Sequence, residues 1–231
     1  MSDDFADRVA GIGALAEPAR RALYGYVVSQ PDAVSREQAA DGVGIAVHSA
    51  KFHLDRLVEE GLLDVEYRRL SGRTGPGAGR PAKLYRRSAR EVSVSLPERR
   101  YDLVGQILAR AVERAAQQSA EVGTAVQAVA AELGREAAAE SAGAEAAGEA
   151  AAELDRLADA LTPYGYEPRM GAEELVLANC PFDVLAREHT QLVCGMNEAF
   201  VGGVLDGLGC TSTKACLDPE PGLCCVKARP R

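Results

Sequence analysis

Hydrophobic positions recur along the first third of the chain at helical, then strand, spacing. Phe5, Val9 and Ile12 share one helical face, and Leu23, Tyr26 and Val27 another, with Pro18 in the opening turn of the second helix. Ser35-Arg-Glu-Gln38 has the form of a capping box and predicts a short helix ending near Gly42. From Val47 to Glu60 the apolar residues Ala50, Leu54, Leu57 and Val58 form a core stripe, and Gly61 supplies a stop. Leu63 to Tyr67 alternates as a strand, residues 71–81 are a Gly- and Pro-rich turn, and Ala82 to Arg86 returns as a second strand.

Helix, helix and two-stranded ribbon in that order predict a winged helix-turn-helix over residues 1–90. Beyond it, Ser95-Leu-Pro-Glu98 has the form of a second capping box, opening a long helix over about 97–122. Tyr101, Val104, Leu108, Ala111, Val112 and Ala115 give that helix an apolar seam. The Ala-rich stretch 137–152 has nothing large to bury and reads as a weak helix or insertion, after which Leu154, Leu157, Ala158 and Leu161 resume a helix. Residues 91–162 are therefore expected to be a helical dimerisation segment. Residues 163–231 alternate differently. Short strands at Tyr164–Arg169 and Glu173–Ala178, helices at Pro181–Glu188 and about Gln191–Leu208, and strands at Thr211–Leu217 and Leu223–Ala228 predict an α+β domain with a small antiparallel sheet. The whole chain is thus expected to be α+β.

Charge sharpens the first of these readings. The net charge is −8, yet residues 1–90 carry 14 Lys and Arg against 12 Asp and Glu. From Tyr67 to Arg90 there are eight basic residues and no acidic one. A local positive patch, not a positive whole, is what displaces counterions from duplex DNA. His48, Ser49, Lys51, His53 and Arg56 are the polar residues offered by the second helix of the motif, and Arg73, Arg80 and Lys83 belong to the ribbon. These eight residues are the candidate DNA contacts. No P-loop, G-x-S-x-G or dinucleotide fingerprint occurs, so no enzyme is expected. No apolar run approaches the roughly 20 residues of a membrane span, and the N-terminus lacks the regions of a signal peptide, so a cytoplasmic location is expected.

All six cysteines lie between Cys180 and Cys225. Cys180 precedes Pro181 at an expected helix start, where the helix dipole favours thiolate. Cys194 falls early on the next helix. Cys224 and Cys225 are placed on the last strand, where alternation would let only one of them join Cys180 and Cys194. With no C-x-x-C, the thiols read as ligands of an iron–sulfur cluster, as part of a zinc site completed by His189, as a thiol or disulfide switch, or as small buried apolar groups. His189, Cys225 and Cys216 are the candidate fourth ligands. A regulator that senses a small organic molecule, with its cysteines incidental, is the alternative.

Residues 10–90, with AKFHLDRLVEEGLLDVEYRR followed by GPGAGRPAKLYRRS, resemble the ArsR-like winged-helix regulators, and in particular the subgroup that includes the SufR-type iron–sulfur regulators. NCPFDVLAREHTQLVCGMNEAF and PEPGLCCV extend the resemblance toward the C-terminus. It implies a homodimeric transcriptional regulator, a repressor of cluster-assembly genes in its holo-form, with Cys180, Cys194 and Cys224 at the matching ligand positions.

Overall fold

The computed structural model describes residues 3–69, 81–141 and 150–231, and the chain divides into two compact units, Met1–Val94 and Ser95–Arg231. The expected ribbon turn, with Arg73 and Arg80, lies outside the described residues apart from Pro81, as does the middle of the Ala-rich stretch.

The first unit contains α1 (Asp3–Ala14), α2 (Pro18–Ser29), β1 (Val34–Ser35), α3 (Arg36–Val43), α4 (Val47–Glu59), β2 (Leu63–Arg68) and β3 (Ala82–Arg87). Its sheet is antiparallel in the order β1-β3-β2, with Val65 opposite Tyr85 and Val34 on the other side of Tyr85. Glu17 caps α2 by accepting the backbone N–H groups of Ala19 and Arg20 at 3.1 and 2.7 Å. The Ser35–Gln38 capping box forms as expected, with the serine oxygen taking the Gln38 N–H and the Gln38 carbonyl oxygen taking that of Ser35. At the end of α4, Gly61 adopts φ +72°. That left-handed turn lets Leu62 donate to Leu57 O at 2.9 Å and Gly61 to Val58 O at 3.0 Å. This pair of bonds satisfies the last carbonyls of the helix. Leu23, Val27, Ala50, Leu54, Leu57 and Leu63 form the core beneath α4, with Val58 packed at its margin.

The second unit contains α5 (Tyr101–Gln118), α6 (Val122–Ser141), α7 (Ala150–Leu161), a 3-10 turn (Thr162–Tyr164), β4 (Pro168–Met170), β5 (Leu175–Leu177), α8 (Asp183–Glu188), α9 (Thr190–Gly207), β6 (Thr213–Leu217) and β7 (Val226–Pro230). The four strands pair antiparallel in the order β4-β5-β7-β6. Ser95 does not cap α5. Its Oγ takes the N–H of Arg99 at 2.8 Å, in an extended approach, and the helix begins only at Tyr101.

The expected boundary between a helical segment and a sensor domain at residue 162 does not mark separate cores. Helices α5, α6 and α7 share one core with the sheet and α9. Much of the α5 seam assigned to dimerisation is used within the chain, since Val104, Ala111 and Ala115 are buried while Tyr101 and Val112 are exposed. The alanines at the start of the low-complexity stretch also differ from expectation. Ala137 and Ala138 are buried on α6, because α9 comes too close for anything larger. A Cβ on Gly203 would stand 2.1 Å from Ala131 O, and one on Gly134 2.2 Å from Phe200 O. Small residues here are what lets backbone meet backbone.

Candidate functional site

The open face of α4 presents His48, Lys51, Phe52 and Arg56, with Ser49 half-buried beside them. Arg56 pairs with Glu59 at 3.1 Å and with Glu60, both on its own helix or cap. His53 does not share this face. It lies four residues before Leu57 and so borders the core stripe, with its side chain 16% exposed and Nδ1 3.6 Å from Glu17 Oε2 at the start of α2. Phe52, 66% exposed, was absent from the expected contacts because only polar residues were sought.

Lys83 is held by Asp55 of α4, and Tyr85 donates to the same Asp55 Oδ1 at 2.8 Å while the Lys83 ammonium lies 5.0 Å from the Tyr85 ring centroid. Burial pushes the Asp55 carboxyl up, but the bonds from Lys83 and Tyr85 outweigh it and leave the group below the usual aspartate range. Burial, then the bond to Asp55, pushes the Tyr85 phenol up. Helix α4 and the ribbon strand β3 are therefore locked to each other. Elsewhere on the ribbon, Arg68 lies 3.6 Å from Glu66 and Arg86 3.7 Å from Asp64. Exposed pairs of this kind contribute little to stability.

In the second unit, four thiols from three distant segments converge. Cys180, before α8, lies beside Cys224, Cys224 adjoins Cys225, and Cys225 lies beside Cys194 on α9. Both members of the Cys224–Cys225 pair take part, contrary to the expected alternation. The strand begins only at Val226, so the two cysteines lie in an irregular approach where alternation does not apply. Interaction with the neighbouring Cys224 thiol, then burial, raises the Cys180 thiol. The expected helix-start effect is overridden, since α8 starts only at Asp183 and is one and a half turns long. For Cys224 the bond with Cys180 lowers the value, but the bond with Cys225 and burial prevail and push it up to about 11. Burial raises Cys194, against a lowering bond with Cys225.

Polar side chains frame these sulfurs. Asn197 Nδ2 donates to Cys224 Sγ at 3.2 Å, and Tyr166 Oη donates to Asn197 Oδ1 at 2.5 Å, all in the interior. Asn179 is anchored by donating to Glu98 O at 2.9 Å and Gly165 O at 2.6 Å, and Arg99 donates to Cys180 O at 3.0 Å. The other cysteines stand apart. Cys216 on β6 donates to Lys227 O at 3.7 Å, and Cys210 lies 3.6 Å from Arg156 Nη2. His189 is exposed at the junction of α8 and α9. Among the described residues, no three or more His, Cys, Asp or Glu side chains surround a position for a metal ion.

A family model described as a helix-turn-helix domain matches residues 15–66, which run from the end of α1 through α2, α3 and α4 into β2. No curated protein matches the chain, and no solved structure matches it. The matched domain, carrying α4 with its open face, supports a DNA-binding transcription regulator of the helix-turn-helix kind. Among the described residues no helix is long and apolar enough to cross a membrane.

Proposed function

We propose that this regulator is a homodimeric repressor whose grip on duplex DNA is set by an iron–sulfur cluster held by Cys180, Cys194 and Cys224, with Cys225 as the fourth ligand. The observation that carries the reading is the gathering of Cys180, Cys194, Cys224 and Cys225, brought near one another from three segments of the fold. Cluster ligands bind different iron atoms, so they need not surround one point as the ligands of a single ion do. The donor set is four thiols, and Asn197 offers a further N–H to sulfur, the kind of bond that tunes cluster potential. Cys225 is preferred to His189 and Cys216 because it lies beside both Cys224 and Cys194. When bound, the cluster supplies an oxygen- and redox-sensitive group. Asn197 and Tyr166 fix the Cys224 sulfur, while Arg99 and Asn179 fix the backbone that presents Cys180.

On the DNA side, α4 enters the major groove and the ribbon follows the flanking backbone, with two copies spacing their helices about one DNA turn apart. Anaerobic purification followed by iron and sulfide analysis, with visible and EPR spectra, tests the cluster. A colourless, iron-free protein after reconstitution defeats it.

The nearness of the Cys180 and Cys224 thiols favours a second reading, a dithiol–disulfide switch. Oxidation by hydrogen peroxide would take two electrons and two protons from the pair, joining the sulfurs as the O–O bond breaks and two waters form. Intact-mass measurement of iron-free protein before and after peroxide separates the two.

A further inference from the structure

The aromatic ring on the open face of α4 has no structural use within the described residues. Phe52 is 66% exposed and its one ring contact is an edge-on approach to His53, with centroids 5.3 Å apart. It stands near the middle of the face, one turn after His48 and one turn before Arg56, with Lys51 adjacent, all three exposed. A phenyl group left in water forfeits the stabilisation that burial brings. The same position filled by a polar residue would cost α4 nothing in packing, since Ala50, Leu54 and Leu57 already supply its buried side.

From this geometry we infer that Phe52 is a specificity-determining residue that reads thymine methyl groups in the major groove. The inference rests on α4 being the recognition helix and says what that helix reads. A phenyl ring has no donor or acceptor for a base edge, so hydrogen-bond readout is closed to it. The one apolar feature that a base pair presents in the major groove is the C5-methyl of thymine. His48, Lys51 and Arg56 surround the ring with groups suited to phosphates and to purine acceptors, so the ring would be pressed against base edges rather than left at the rim. The Asp55 carboxylate on the same face, which alone would repel the duplex, is already held by Lys83 and Tyr85.

The test begins with selection of binding sites from a random duplex library. Full-length protein is used both as purified and after anaerobic reconstitution with iron and sulfide. Each thymine of the selected site is then replaced singly by uracil, which removes the methyl and keeps the pairing edge. For the unaltered protein, uracil at one or two positions should weaken binding roughly fourfold, the effect of one buried methyl. Phe52→Ala should lose about the same on thymine DNA and lose nothing further on uracil. Because the side chain is exposed, the variant should melt with the parent protein. Equal uracil sensitivity in Phe52→Ala and the parent overturns the inference while leaving DNA binding intact. So does a Phe52→Ala variant that keeps the parent's site preference but loses self-association, which would assign the ring to a second copy of the chain. Failure of the unaltered protein to enrich any DNA in either form would remove the DNA-binding reading itself, together with this one.

Discussion

Tyr85 Oη donates to Asp55 Oδ1 across 2.8 Å, and this bond ties the ribbon strand β3 to helix α4. Lys83 closes on the same oxygen. Replacing Asp55 with Ala leaves a buried phenol without its acceptor, and should cost about 1–2 kcal/mol in urea unfolding, the lower part of the usual range because Asp55 is partly exposed. The folded-state value of Asp55 is depressed, so its contribution is complete above the ordinary aspartate value of about 4 and fades as pH falls through the folded value. The stability gap between parent and Asp55→Asn should therefore be constant near neutrality and shrink in acid. A gap that widened in acid would contradict the assignment.

Neighbouring glycines on α9 should respond with opposite signs. Gly202 has nothing within 4 Å of an added Cβ, so Gly202→Ala should stabilise by roughly 0.5–1 kcal/mol through helix propensity. Gly203→Ala places a methyl against the Ala131 carbonyl and should destabilise by about 1–3 kcal/mol or more as the helices are forced apart. Thermal or denaturant melts of the two variants, side by side, check the pair.

Within the thiol site, Asn197→Ala strips the Tyr166 hydroxyl of its acceptor in a fully buried setting. The expected loss is about 1–3 kcal/mol in denaturant unfolding. Asn197→Asp is a useful second variant, since it keeps an acceptor for Tyr166 but withdraws the N–H from Cys224. If the proposed cluster is present, the Asp variant should shift its reduction potential downward, measured by redox titration followed in the visible spectrum.

Serine at Cys180, Cys194 or Cys224 should abolish retention of iron and sulfide after anaerobic reconstitution, whereas serine at Cys210 or Cys216 should leave both near parent levels. The grouping follows from contact alone, since Cys216 donates to the Lys227 carbonyl and Cys210 sits by Arg156. Equal loss at Cys216 would move the site.

The first unit was legible because its signals are local. A capping box at Ser35, a stripe through Ala50, Leu54 and Leu57, and the stop at Gly61 each act within a few residues, and each formed as its spacing implies. The second unit was harder to read because its causes are tertiary. Nothing near Ala137 announces that α9 will pass within backbone contact of α6, so an alanine run that is buried looks the same as one that is idle. At the thiol site the clustering of cysteines late in the chain was visible, and three of the four converging thiols were named. The fourth, Cys225, was given lower rank because the strand was expected to start at Leu223, three residues before it does. Phe52 was passed over for a different reason. Its meaning depends on exposure, which residue type and spacing do not reveal.

Helix α9 holds Cys194 near its beginning and Gly203 near its end, with α6 seated against the latter at backbone distance. Soft side chains normally absorb small displacements, as rubber mounts do, but this seam has none at its tightest points. A change in sulfur chemistry that nudges α9 would carry α6 along with it, so the alanines and glycines that make the sequence look featureless give this unit its stiffness.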